Sequence, residues 1–121
     1  MRNQPKYNFF KNTMYALNGL LDIIKNESSF KIELVLVIIL IPFIFILDLS
    51  LFKQLFMFIS LFLLLLCEII NSAIERCVDL VTLEYNEMAK RAKDVGSTIV
   101  FFSILILIFT WGLIIFDTYF K

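Results

Sequence analysis

Val95-Gly-Ser-Thr-Ile-Val-Phe-Phe-Ser-Ile-Leu-Ile-Leu-Ile-Phe-Thr-Trp-Gly-Leu-Ile-Ile-Phe116 runs for 22 residues between Asp94 and Asp117 without a charge. About 20 helical residues cross the roughly 30 Å of hydrocarbon in a bilayer, so this stretch reads as a membrane span. Trp111 and Tyr119 stand where an aromatic belt falls. Working back along the chain, Leu34–Leu47 and Gln54–Cys67 are each uncharged for 14 residues, too few to span alone. They reach spanning length only if their helices run into charged sequence. The first must then start near Glu27, and the second must continue past Glu68 to Glu75. Asp48–Lys53 becomes a tight hairpin turn. Pro42 lies inside the first span, where neighbouring helices can compensate for its missing hydrogen bond.

Upstream, Phe10, Met14, Leu17, Leu21 and Ile24 recur at steps of four and three, with Lys11, Asn18, Asp22 and Lys25 elsewhere on the wheel. This is the pattern of an amphipathic helix lying on a membrane surface, the alternative being a helix packed on the bundle. Pro5 suits its first turn. The expected fold is an all-α membrane protein: a surface helix over about 5–25 and three transmembrane helices over about 28–48, 53–75 and 94–117, in a single domain.

Composition agrees. Of 121 residues, 60% are hydrophobic, against roughly 45–50% in a soluble domain. Lys plus Arg number 11 and Asp plus Glu number 11, leaving no basic surplus for nucleic acid. The absence of His excludes Ser-His triads and HExxH zinc sites. Gly19, Gly96 and Gly112 are too far apart for a Walker loop. Cys67 and Cys77 have neither CxxC spacing nor a His partner, so both are expected to be packing residues. The N-terminal MRNQPKYNFFKN lacks the apolar core of a signal peptide, so insertion is expected to depend on the later segments.

Orientation follows from Lys and Arg near the span ends. Arg2, Lys6, Lys11, Lys25 and Lys31 precede the first span, and Arg76, Lys90, Arg91 and Lys93 separate the second from the third. Those segments are expected in the cytoplasm, with the Asp48–Lys53 turn and the C-terminus outside. This topology brings Glu27 and Glu33, then Glu68, Asn71, Glu75 and Asp79, then Lys93 and Asp94, to one interface. Glu68 and Glu75 are two helical turns apart and share a face, with Asn71, Ser72 and Asp79 on or beside it. Glu68 falls within the membrane, where an unpartnered carboxylate costs several kcal/mol. It is either a hydrogen-bonded packing residue or a general base or ion site. Glu27 and Glu75 suit magnesium, which takes one or two carboxylates together with nucleotide phosphates. Lys93, beside Asp94 at the start of the third span, is either an anion-binding group near a helix terminus or a topological anchor. Asp79–Lys93 is expected to be a helical connection.

The series Glu68-Ile-Ile-Asn71-Ser-Ala-Ile-Glu75, Asp79, Glu84-Tyr85 and Arg91-Ala-Lys93-Asp94-Val-Gly96-Ser97, with Tyr15, Gly19 and Asn26-Glu27-Ser-Ser-Phe30, resembles the prokaryotic diacylglycerol kinase family. The resemblance implies a homotrimeric bundle with active sites shared between subunits, transferring the γ-phosphoryl group of ATP to the hydroxyl of diacylglycerol. Glu68 would be the base, and Glu27 and Glu75 would hold Mg²⁺. Tyr15, Glu27, Glu75, Glu84, Tyr85, Asn86, Lys93 and Asp94 would bind the nucleotide and its metal, with Glu33, Asn71 and Ser97 joining Glu68 on the acceptor side. It also implies a bacterial inner membrane with the site on the cytoplasmic face. The chain departs from the family at Asn86, where a histidine is common, and at Asn8 and Ala16, which replace an arginine and a serine. Undecaprenol is the alternative acceptor. From other classes, a carboxylate-dependent transporter would need Glu68 but not Glu27, Lys93 or Asp94, and a structural assembly protein would leave the polar cluster unexplained.

Overall fold

The computed structural model describes residues 6–121, so the expectations for Arg2 and Pro5 fall outside the described residues. Four helices follow one another: α1 (Phe9–Asn26), α2 (Ser28–Ile46), α3 (Leu51–Val81) and α4 (Glu87–Tyr119). No strand occurs among the described residues. The last three helices are long and apolar enough to cross a membrane.

Asn8, the position where the family commonly has an arginine, caps α1: its side chain accepts from the Lys11 N–H at 3.1 Å. Only Ile23 of α1 is buried, and Phe10, Met14, Leu17 and Leu21 lie exposed along its apolar stripe. The chain then bends at Glu27, which has extended φ and ψ and serves both as C-cap of α1 and N-cap of α2. A carboxylate at that position also faces the positive end of the α2 dipole.

The core is organised around α3, against which α2 and α4 both pack. Helix α2 buries Phe30, Val37 and Ile44, a narrow seam seven residues in period. Helix α3 answers with Met57, Leu61, Leu64, Glu68 and Asn71, alternating steps of four and three. Helix α4 contributes Gly96, Ser103 and Leu107. Its outer face, including Phe102, Leu105, Phe109, Leu113 and Phe116, is exposed.

Polar contacts fix the register between α3 and α4. The Trp111 indole donates to Ser60 Oγ at 3.1 Å and to the Met57 carbonyl at 3.3 Å. At one end of the bundle, Lys53 reaches Asp117 at 2.8 Å and donates to Thr118 at 2.9 Å. Gln54 donates to the Ile44 carbonyl at 3.2 Å, capping an α2 terminus that has no intrahelical donor.

The helices run further than the sequence implied. With 31 residues in α3 and 33 in α4, their lengths are roughly 46 and 50 Å. The expected helical connection across Asp79–Lys93 is broken: α3 ends at Val81 and α4 begins at Glu87, with a short non-helical link between. The Thr82 hydroxyl accepts from the Glu84 N–H at 3.2 Å, and Asn86 caps α4 by accepting from the Ala89 N–H at 3.1 Å. These local bonds compete with helix continuation and close the turn. Lys93 and Asp94 therefore sit well inside α4, not at its N-terminus, and the helix-terminus argument for Lys93 does not hold. Cys67 is half-buried but Cys77 is exposed, contrary to its expected packing role.

Trp111→Phe keeps the ring but removes the donor shared by Ser60 and Met57. It is expected to lower stability by about 1 kcal/mol in a micellar unfolding titration; an unchanged midpoint would show that the bond contributes nothing.

Candidate active site

The end of the bundle opposite Lys53 and Asp117 gathers the polar residues of three helices. Glu68 is 5% exposed, Asn71 7% and Ser72 4%. The Glu33 carboxyl, from α2, lies within hydrogen-bonding reach of the Glu68 carboxyl. Glu27 and Glu75 are close enough for their charges to act on Glu68. Two buried acceptors, Glu33 Oε2 and Asn71 Oδ1, have no hydrogen-bond donor.

Gly96 of α4 makes this arrangement possible. A Cβ at that position would lie 2.5 Å from Asn71 Oδ1, closer than packed atoms tolerate. Glycine lets α4 approach until the Asn71 carboxamide occupies the space a side chain would fill.

Arg76 ties the site to α1. Its Nε and Nη2 both donate to Glu27 Oε1 at 3.1 Å, and Nη1 donates to Asp22 Oδ2 at 3.0 Å. The guanidinium, helped by the Asn26 amide, holds the Asp22 carboxyl below the usual carboxylate range. Asp22's share of the tie is therefore present at neutral pH and is lost as pH falls through that lowered value. No group of three or more metal-ligating side chains occurs among the described residues. Glu27 and Glu75 nevertheless fit magnesium in chemistry, because a hard cation that keeps water and phosphate ligands needs only one or two carboxylates. Glu27 Oε2 is left outside the Arg76 contact.

A second feature adjoins the α3–α4 link. Glu84, Tyr85, Asn86, Lys90, Lys93 and Asp94 line a cleft of about 390 Å³. Lys93 pairs with Asp79 at 2.7 Å and Lys90 with Asp94 at 2.8 Å. Tyr85 donates to Glu87 at 2.8 Å, which raises its pKa and keeps the phenol neutral. Lys93 is also close enough to Glu75 for their charges to interact, so it stands between the cleft and the carboxylates. A third feature, a largely apolar groove of about 430 Å³, separates α1 from α3; Ala16, Gly19 and Ile23 face Ile69, Ser72 and Ala73 across it, with Arg76 on its wall.

The structure thus brings Glu27, Glu33, Glu68, Asn71 and Glu75 together, and lines one cleft with Glu84, Tyr85, Asn86, Lys93 and Asp94. Tyr15 and Ser97 join neither group. Tyr15 is exposed on α1 without a hydrogen-bond partner among the described residues, and the Ser97 hydroxyl donates to the Lys93 carbonyl of its own helix. In the sequence Arg76 reads only as a topological charge, and nothing there marks Asp22. The available signal was a single cation interrupting the acidic series Glu68, Glu75, Asp79.

Long apolar helices with a buried carboxyl at Glu68, a cleft of mixed charge and an apolar groove define a multi-pass membrane protein with a polar site at one end. The family model for prokaryotic diacylglycerol kinase matches residues 14–115. A diacylglycerol kinase from Haemophilus influenzae is 39% identical over 86% of this chain and 88% of its own length. One from Pseudomonas aeruginosa is 38% identical over 85% and 84%. An undecaprenol kinase from Bacillus subtilis is 31% identical over 89% and 87%. The chain belongs to the prokaryotic diacylglycerol kinase family and is a kinase.

Gly96→Ala is expected to displace the Asn71 carboxamide and reduce turnover at least about tenfold. The comparison is Gly112→Ala, where nothing lies within 4 Å of an added Cβ. Equal turnover in the two variants would show that the close approach is not needed.

Proposed function

We propose that the protein transfers the γ-phosphoryl group of ATP to the free hydroxyl of diacylglycerol, giving phosphatidic acid and ADP. The observation that carries this reading is the buried carboxyl of Glu68, with Glu27, Glu33 and Glu75 close enough for their charges to act on it. Ile69, Ser72 and Ala73, on the helix that carries Glu68, line the apolar groove, which would take acyl chains, and Lys93, close enough to Glu75 for their charges to interact, lies on the wall of the cleft that would take the nucleotide.

In this reading the acceptor oxygen attacks the γ-phosphorus, the bond to the β-phosphate oxygen breaks, and the hydroxyl proton passes to Glu68. Glu33 holds the Glu68 carboxyl in place, and Asn71, one turn along α3, would face the acceptor headgroup through its amide nitrogen. Glu27 and Glu75 would hold Mg²⁺, which supplies charge neutralisation to the phosphates when bound. Lys93 places a positive charge where negative charge develops, while Glu84, Tyr85, Asn86 and Asp94 shape the nucleotide cleft. Phosphoryl transfer needs positioning and electrostatics above all, so no glycine-rich phosphate loop is required. Tyr15 and Ser97 would act across a boundary between subunits, in keeping with a homotrimer whose sites are shared. The site would lie on the cytoplasmic side of a bacterial inner membrane, because Arg76, Lys90, Arg91 and Lys93 cluster at that end.

Undecaprenol is the second acceptor to test, since a relative bears that name; the more similar relatives named above are diacylglycerol kinases. Purified protein in mixed micelles with Mg²⁺ and labelled ATP is expected to phosphorylate diacylglycerol in preference to undecaprenol. Glu68→Gln is expected to reduce transfer by at least about 10²-fold. Preference for undecaprenol would reassign the acceptor, and near-native transfer by the Glu68 variant would remove it as the base.

A further inference from the structure

Resting on the reading of Glu27 as a magnesium ligand, we propose that Arg76 is a positioning residue that aims one oxygen of Glu27 at the metal and makes metal binding there depend on nucleotide. Glu27 occupies the non-helical bend between α1 and α2, and its side chain makes no capping bond to its own helix. Its side-chain partner among the described residues is Arg76. The guanidinium places two donors on the same oxygen, Oε1, each at 3.1 Å, and leaves Oε2 outside the contact. The third bond, to Asp22 at 3.0 Å, anchors the guanidinium to α1. Asp22 is in turn held by the Asn26 amide. A carboxylate on a bend is thus oriented by a planar group on α3, the helix that carries Glu75, the second expected ligand, and both carboxylates are close enough to act on Glu68.

The charge of Arg76 sets the conditions. A guanidinium stays protonated at any accessible pH. Next to a cation site it opposes a bare divalent ion, because like charges a few ångströms apart repel. Nucleotide phosphates bring several negative charges and reverse the balance, after which the orientation of Oε2 is the remaining effect. Such a tie discourages metal without nucleotide and favours the metal–nucleotide complex. Loss of a group that orients a metal ligand typically lowers affinity about 10- to 100-fold.

The test uses the full chain in detergent micelles, with Mn²⁺ followed by electron paramagnetic resonance, with and without a non-hydrolysable ATP analogue. With the analogue, Arg76→Gln is expected to weaken Mn²⁺ binding about 10- to 100-fold. Without it, the variant is expected to bind Mn²⁺ at least as well as the native protein. Arg76→Lys keeps the charge but cannot set two rigid donors on one oxygen, and is expected to fall between the two. Should Arg76→Gln fail to assemble, the Lys variant decides by the same criterion. Native-like binding by the variants in the presence of the analogue overturns the proposal. Glu27→Gln separates the two claims. If it weakens Mn²⁺ binding while Arg76→Gln does not, the positioning role fails and the metal reading of Glu27 stands. If neither weakens binding, both fall.

Discussion

The thickness of the hydrocarbon core is the constraint from which the rest of this structure follows. About 30 Å of apolar medium cannot contain helices of roughly 46 and 50 Å, so the excess length of α3 and α4 must emerge. Lys53 and Asp117 pair at one end of the bundle, and most of the excess lies at the other. There Glu75, Arg76, Asp79, Lys90, Lys93 and Asp94 extend the bundle as a polar layer, and Glu68 stands about two turns below Glu75. The same constraint explains the narrow apolar seams, because residues facing lipid need no packing partner and only those facing α3 are buried.

Within that frame the cost of burying polar groups is met by specific geometry. The Trp111 indole satisfies Ser60, the Ser60 hydroxyl satisfies the Met57 carbonyl, and Glu33 answers Glu68. Two acceptors without donors, Glu33 Oε2 and Asn71 Oδ1, occur where three helices meet, and the glycine at position 96 maintains that approach. An apolar groove lies between α1 and α3, a cleft of mixed charge adjoins the α3–α4 link, and the family to which the chain belongs is one of kinases.

Much of this was legible in the sequence, for physical reasons. Val95–Phe116 could only be a span, and the two shorter runs had to borrow charged residues, which forced the carboxylates together. The heptad of α1 was equally plain. Other features were not legible. The break at Thr82–Asn86 has neither glycine nor proline and depends on side-chain bonds from Thr82 and Asn86. Asn8 and Asn86, visible only as departures from a family pattern, both prove to be helix caps. Arg76 looked like one more cytoplasmic charge, because its partners Asp22 and Glu27 lie 54 and 49 residues away. Long-range pairing of that kind leaves no periodic trace.

In the proposed function the lipid lies in the groove between α1 and α3 and presents its hydroxyl toward Glu68, while the nucleotide occupies the cleft beyond Lys93. The most direct measurement is photolabelling in micelles with a diacylglycerol carrying a diazirine close to its glycerol, followed by peptide mapping. The account predicts labels within residues 16–23 and 69–76, competed by unmodified diacylglycerol. Labels confined to the opposite end around Lys53 and Asp117, or spread along the outer face of α4, would contradict it.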